Sequence, residues 1–262
     1  MLRRAVHVTT AAGVPVRLDP SLVLIVALVT WTFLPRLTVR FPTALALGLA
    51  LLVAVLVVLS VLAHELGHAA EARRRGVHVG GVTLFALGGA TELGGHGRTP
   101  RDELAVAALG PWISLVVAAA CGITATVAEE YLRGDLGAAV ALVAGLLGWI
   151  NVALAAFNLL PAAPLDGGRM LHALLWRTLR DRHRATLVTS ALGQLLGAAL
   201  LALGGFVLVS GVRAGGATGA AAGLALGGVW SLVIGVFLLV AARGELRRSR
   251  TGTRTGTQVD AA

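Results

Sequence analysis

The chain has 262 residues, 56% of them hydrophobic and 13% charged, with a mean hydropathy of +0.84; that balance excludes an ordinary soluble domain and puts most of the chain in a bilayer. The formal charge of +9 comes from 22 basic residues, all arginine, against 13 acidic ones. These arginines sit in short gaps between apolar runs, so they read as topology signals and disfavour nucleic-acid binding. The one cysteine, Cys121, lies inside an apolar run. It excludes an intrachain disulfide and a cysteine-rich zinc module, and core packing is its expected role.

In chain order, residues 1–19 are expected as a cytoplasmic segment. Six apolar stretches follow, at about 20–38, 43–70, 104–128, 136–160, 186–212 and 220–242. Each approaches the ~20 residues needed to cross ~30 Å of hydrocarbon. The first is the weakest, interrupted by Pro35 and Arg36, and is read as a retained helix rather than a cleaved signal because no A-x-A-like site follows it closely. Between the second and third stretches, residues 77–93 (VHVGGVTLFALGGATEL) are rich in Val, Thr and Gly without helical period, and predict short β-strands with glycine bends near the membrane. A Gly-rich turn around 213–219 joins the last two stretches as a tight hairpin, and residues 243–262, rich in Arg, Gly and Thr, are expected as a disordered basic tail near anionic lipid. The expected fold is an all-α polytopic membrane protein of about six transmembrane helices, with a small membrane-associated β-hairpin or sheet between helices two and three; its membrane domain spans 20–242.

Arginines set the orientation. Eighteen of the 22 lie before the first stretch, in the second-to-third and fourth-to-fifth gaps, or after the last stretch. The alternate gaps hold only Arg36, Arg40, Arg133 and Arg213. The positive-inside rule then predicts a multi-pass cell-membrane protein with both termini cytoplasmic.

The sharpest chemical signal is His64-Glu65-Leu66-Gly67-His68, an H-E-x-x-H pattern at the end of the second apolar stretch. On a helix, two residues four apart share a face, so both imidazoles can reach one metal while Glu65 stands beside the metal-bound water. Ionisable side chains inside a membrane helix cost about 2.5 to 3.5 kcal/mol each on insertion scales and persist mainly where they act. Zinc needs a third protein ligand. The HExxHxxGxxH extension is absent, because Glu71 and Arg74 occupy its Gly and final His positions. The best candidate is Asp166, set where two prolines and two glycines break the fourth helix (NLLPAAPLDGGR). Non-helical backbone at membrane depth is tolerated where it lines a cavity or is packed in protein. The predicted topology runs the second and fourth helices the same way, which brings His64, His68 and Asp166 to similar depth near the cytoplasmic face.

Through HELGH, through FNLLPAAPLDGGR and through the weaker segments LFALGGATEL and ALGPWISL, the chain resembles the site-2 protease family of intramembrane zinc metalloproteases. The resemblance runs from about Gly13 to Val240. It implies one zinc ion held by His64, His68 and Asp166, Glu65 as the catalytic carboxylate, and Asn158 as a residue that holds substrate or stabilises the oxyanion. It further implies a membrane-anchored protein or peptide substrate, such as an anti-sigma factor, cut in regulated intramembrane proteolysis. Relatives often carry a histidine where this chain has Asp19, which leaves any role for Asp19 open. The PDZ and nucleotide-sensing CBS modules of several relatives are not expected here. The rival reading is an intramembrane zinc transporter, which calls for further His, Asp or Glu on helices facing the motif. The remaining histidines, His7, His78, His96, His172 and His183, are expected as solvated or interfacial side chains, and Arg73 to Arg75 as an orientation and lipid-contact cluster.

Overall fold

The structure is a computed structural model that describes residues 5–11, 13–86, 88–94, 99–213 and 219–256. The chain divides into two compact units, Met1–Asn158 and Leu159–Ala262.

The first unit begins with two strands, β1 (Val6–Ala11) and β2 (Val14–Leu18). They are paired antiparallel around Gly13, whose φ of 74° is the conformation a tight turn requires. Helix α1 (Leu22–Thr38) and helix α2 (Thr43–Arg74) carry the chain back, and β3 (Val79–Phe85) then pairs parallel to β2, with Val16 opposite Val82 and Leu18 opposite Leu84. A parallel pair needs a long crossover, and here two helices supply it. Strand β4 (Gly88–Leu93) closes an antiparallel hairpin onto β3, which completes a four-stranded sheet in the order β1-β2-β3-β4. The expected strands within 77–93 are therefore present. The strands within residues 1–19 were not anticipated, because the pairing that stabilises β2 comes from more than sixty residues downstream.

One face of the sheet is a core. Val14, Val82 and Leu84 pack with Ala69 of α2, and Val58, Val61, Leu62 and Leu66 add to the cluster. The C-terminal half of α2, which carries HELGH, is thus clamped against the strands. Helices α3 (Pro100–Tyr131) and α4 (Gly134–Asn158) complete the unit. Helix α3 starts at a capping box in which the Thr99 side chain accepts from the Asp102 backbone N–H and the Asp102 carboxylate accepts from that of Thr99. Arg75, just past α2, donates to Asp102 at 2.8 Å and to Glu71 at 2.7 Å, tying the end of α2 to the start of α3. These acceptors, Asp102 first, hold the Arg75 guanidinium above its ordinary pKa. Arg75 is therefore a structural arginine as well as an orientation signal. Cys121 packs beside the Val53, Val57, Val143 and Leu147 cluster, as expected of a packing residue.

The second unit holds α5 (Asp166–Leu179), α6 (Arg182–Arg213) and α7 (Gly219–Gly256). Along α6 and α7 backbones approach closely: a Cβ at Gly204 would meet the Gly228 carbonyl oxygen at 2.8 Å, and one at Gly197 the Gly235 carbonyl oxygen at 2.9 Å.

Among the described residues, five helices are long and apolar enough to cross a membrane, and large apolar side chains such as Leu51, Leu59, Val116, Ile123 and Phe206 face outward. This is the surface of a multi-pass membrane protein. Helix α1 falls short of that length, with 17 residues. At 1.5 Å per residue it covers about 26 Å, and it cannot run on into α2 because Pro42 imposes extended backbone on its neighbour. The fourth apolar stretch ends cleanly at Asn158, and what was read as its broken end is a separate amphipathic helix, α5, beginning at Asp166. Helix α7 continues through Gly256, into the segment read as a disordered tail. The turn at 214–218, His96 and the last six residues lie outside the described residues.

Candidate metal centre

His64 and His68 lie one turn apart on α2 and are each 3% exposed, with ring centroids 4.9 Å apart and ring planes at 79°. Helix α3 fixes both rings. The His68 Nδ1 lies 2.7 Å from the Val106 carbonyl oxygen; because a carbonyl only accepts, Nδ1 carries the proton and Nε2 keeps its lone pair. The His64 Nδ1 lies 2.9 Å from the Ser114 hydroxyl oxygen, and donating to it gives the same tautomer. Both Nε2 atoms converge on Gly110 of α3. A Cβ there would strike the His68 Nε2 and come within 2.7 Å of the His64 Nε2. The missing side chain thus leaves room for both imidazoles to pack against the bare backbone of α3. Gly67, between the two histidines, lets α3 come close in the same way, since a Cβ there would collide with Ile113.

Glu65 projects toward the sheet. Its carboxylate Oε2 accepts from the Thr91 hydroxyl of β4 at 2.7 Å, and its backbone carbonyl lies 3.2 Å from the same hydroxyl. One turn before His64, Ser60 accepts a hydrogen bond from the buried Asn151 amide of α4 at 3.1 Å.

Asp166 is the first residue of α5 and is 7% exposed. The loop before it contains a cis Ala163–Pro164 bond and is held to α6 by the Ala163 N–H donating to the Thr189 carbonyl at 3.1 Å. The two glycines of PLDGG serve this packing: a Cβ on Gly167 would strike the Leu159 carbonyl, and one on Gly168 the Ala162 carbonyl. His64 and His68 are buried on α2, and Asp166 is buried at the head of α5. Two imidazoles and a carboxylate are a donor set suited to zinc with a coordination position left open. By the chemistry of this donor set, the residues present fit that ion.

The other expected residues fall as follows. Asn158 ends α4 and its amide donates to the Leu154 carbonyl of its own helix at 3.0 Å. Asp19 Oδ1 accepts from the Ser21 N–H at 2.9 Å in the turn into α1. His172 corrects the expectation of a solvated ring: it is 5% exposed inside α5, with Nε2 3.1 Å from the Thr186 hydroxyl of α6. His7, His78 and His183 are exposed as expected. Ser114, Gly110, Val106 and Thr91 were not singled out from sequence. Ser114 and Gly110 lie within ALGPWISL and Thr91 within LFALGGATEL, so the resemblance marked their segments without assigning them roles.

Fold and site together define a polytopic membrane protein with an HExxH metal centre buried among its helices. The chain matches Peptidase family M50 over residues 52–142 and 136–204, and it belongs to that family, the site-2 protease family. It is similar to Rip3 of Mycobacterium tuberculosis, with 39% identity over 254 residues that cover 95% of this chain and 61% of that protein. It is also similar to sll0528 of Synechocystis, with 35% identity over 251 residues, 94% of this chain and 60% of that protein. Both relatives carry the name zinc metalloprotease, and this chain spans about three-fifths of their length. Among solved structures, the Site-2 Protease from Methanocaldococcus jannaschii shares the fold, with a TM-score of 0.62 at 22% identity over 92% of this chain and 95% of that one.

Proposed function

We propose that this chain is a zinc-dependent intramembrane endopeptidase that hydrolyses a peptide bond in or beside a transmembrane segment of a membrane-anchored protein or peptide. The observation that carries the reading is the pair His64 and His68, each with Nδ1 hydrogen-bonded to α3 and its ring packed where Gly110 has no side chain, with Glu65 beside them. Asp166 is the proposed third ligand, and one zinc per chain the proposed stoichiometry. Bound zinc supplies a Lewis acid that polarises the scissile carbonyl and acidifies water. Glu65 takes the proton of the water whose oxygen bonds to the carbonyl carbon; as the C–N bond breaks, it passes that proton to the leaving amine. Asn158, with a second amide N–H beyond the one given to Leu154, is assigned a substrate-holding role.

A helical substrate hides its carbonyls in internal hydrogen bonds, so it must be drawn out before attack. Strand β4 lies at the edge of the sheet and touches Glu65, which suits pairing with an extended segment. The arginine distribution supports cytoplasmic termini and a site near the cytoplasmic face of the cell membrane. A transport path would ask for further His, Asp or Glu on helices facing the motif, and apart from Asp166 the other apolar stretches hold almost none.

The test is Glu65→Gln in vesicles carrying a model transmembrane substrate. Cleavage is expected to fall by about 10²-fold or more, the range of general acid–base contributions, while metal analysis still finds zinc. Undiminished turnover removes Glu65 from the mechanism, and zinc flux without proteolysis favours the transporter.

A further inference from the structure

Glu65 is held from outside its own helix. In β4, residues 89 and 91 share one face of the strand by the two-residue period, and both meet Glu65. The Thr91 hydroxyl donates to Oε2 at 2.7 Å, a short O–H···O hydrogen bond. At Gly89 a Cβ would strike the Glu65 Cγ and come within 2.9 Å of Cδ and 3.0 Å of Oε1. One position supplies a donor and the other a gap, so this face of β4 is shaped to a single carboxylate. The hairpin register keeps it there, with Thr91 opposite Val82 and Gly89 opposite Leu84. Val82 and Leu84 belong to the core that α2 shares with the sheet.

A glutamate has three rotatable side-chain bonds, and its usefulness as a proton acceptor depends on which way its oxygens point when water arrives. Holding Oε2 fixes the direction of Oε1. We infer that Thr91 is a positioning residue for Glu65, and that β4, through the Thr91 hydroxyl and the Gly89 gap, sets the orientation of the proton-accepting carboxylate. This rests on the proposed role of Glu65. It also places the orienting contact on the edge strand proposed to receive substrate, so disturbing that strand disturbs the carboxylate.

The experiment compares Thr91→Val, Thr91→Ser and Gly89→Ala with the unaltered full chain, zinc-loaded in vesicles with a transmembrane substrate. Thr91→Val keeps the shape and removes the donor; kcat should fall about 10- to 100-fold, as for other groups that orient a reactive residue, with KM and zinc content unchanged. Thr91→Ser restores the hydroxyl and should recover most of kcat. Gly89→Ala should lower kcat with zinc retained. A second readout uses metal-free protein and needs no activity: amide exchange across residues 88–93 should quicken in Thr91→Val and in Glu65→Leu, and no further when the two are combined. The inference is overturned if Thr91→Val keeps its kcat, if Thr91→Ser is as impaired as Thr91→Val, or if the exchange effects of the two changes simply add. Zinc-loaded unaltered protein that cleaves nothing would instead overturn the peptidase reading, and the exchange data would still report whether β4 holds Glu65.

Discussion

Two helix pairs in this chain achieve close approach with different chemistry. Between α2 and α3, Gly67 makes room for Ile113, and Gly110 makes room for two imidazoles whose Nδ1 atoms are bonded to Ser114 and Val106. Between α6 and α7, Gly197, Gly204, Gly228 and Gly235 open comparable space, and backbone carbonyls and leucines fill it. The same small residue therefore has two meanings in a membrane protein. In one pair it makes room for polar groups that would otherwise be costly to bury, and in the other it adds van der Waals contact where no hydrophobic driving force exists between helices in lipid. Glycine content cannot tell the two apart; the neighbours of each missing side chain can.

The contrast is sharpest at Gly110. Gly110→Ala drives a methyl group into both imidazole rings, and should lower zinc affinity by about 100-fold, the upper part of the range for disturbed ligand geometry. Zinc titration of the purified variant, with helicity checked by circular dichroism, decides it; normal zinc uptake would make Gly110 a packing glycine like those of α6. Ser114→Ala comes next. It removes the partner that orients His64 without touching a ligand, and should weaken zinc binding about 10- to 100-fold, read by competition with a chelator. An unaltered affinity would mean that packing, not the hydrogen bond, holds the ring. The smallest effect belongs to Gly204→Ala, where a methyl would press on the Gly228 carbonyl and on Leu232. It should cost about 1 to 3 kcal/mol of stability by overpacking, seen as a lower unfolding midpoint in detergent, with zinc affinity unchanged. A loss of zinc there would erase the distinction between the two pairs.

Much of the centre was legible because it is local. HELGH declares itself through helix geometry, since residues four apart share a face whatever surrounds them. Asp166, the proposed third ligand, stands out in the sequence as the lone carboxylate in a stretch of broken helix inside an apolar run. Less local features were missed for corresponding reasons. Strands β1 and β2 are short, and β2 is stabilised by a partner that arrives only after two helices have passed. His172 looks like a loop histidine until α5 is seen to be a helix of its own and Thr186 is found beside the ring. Thr91 is an ordinary strand threonine until its hydroxyl is seen to lie on Glu65.

Composition and periodicity alone determine that this chain lives in a membrane, that α2 carries two imidazoles on one face with a carboxylate beside them, and that the arginines favour one side. Those properties depend on residue type and helical spacing, which no tertiary contact alters. Tertiary structure alone decides which nitrogen of each histidine is bonded to α3, which glycine makes room for a ring and which for backbone, and which strand reaches the glutamate. Each of these is a contact between segments tens of residues apart, and such a contact exists only once the helices and the sheet have docked.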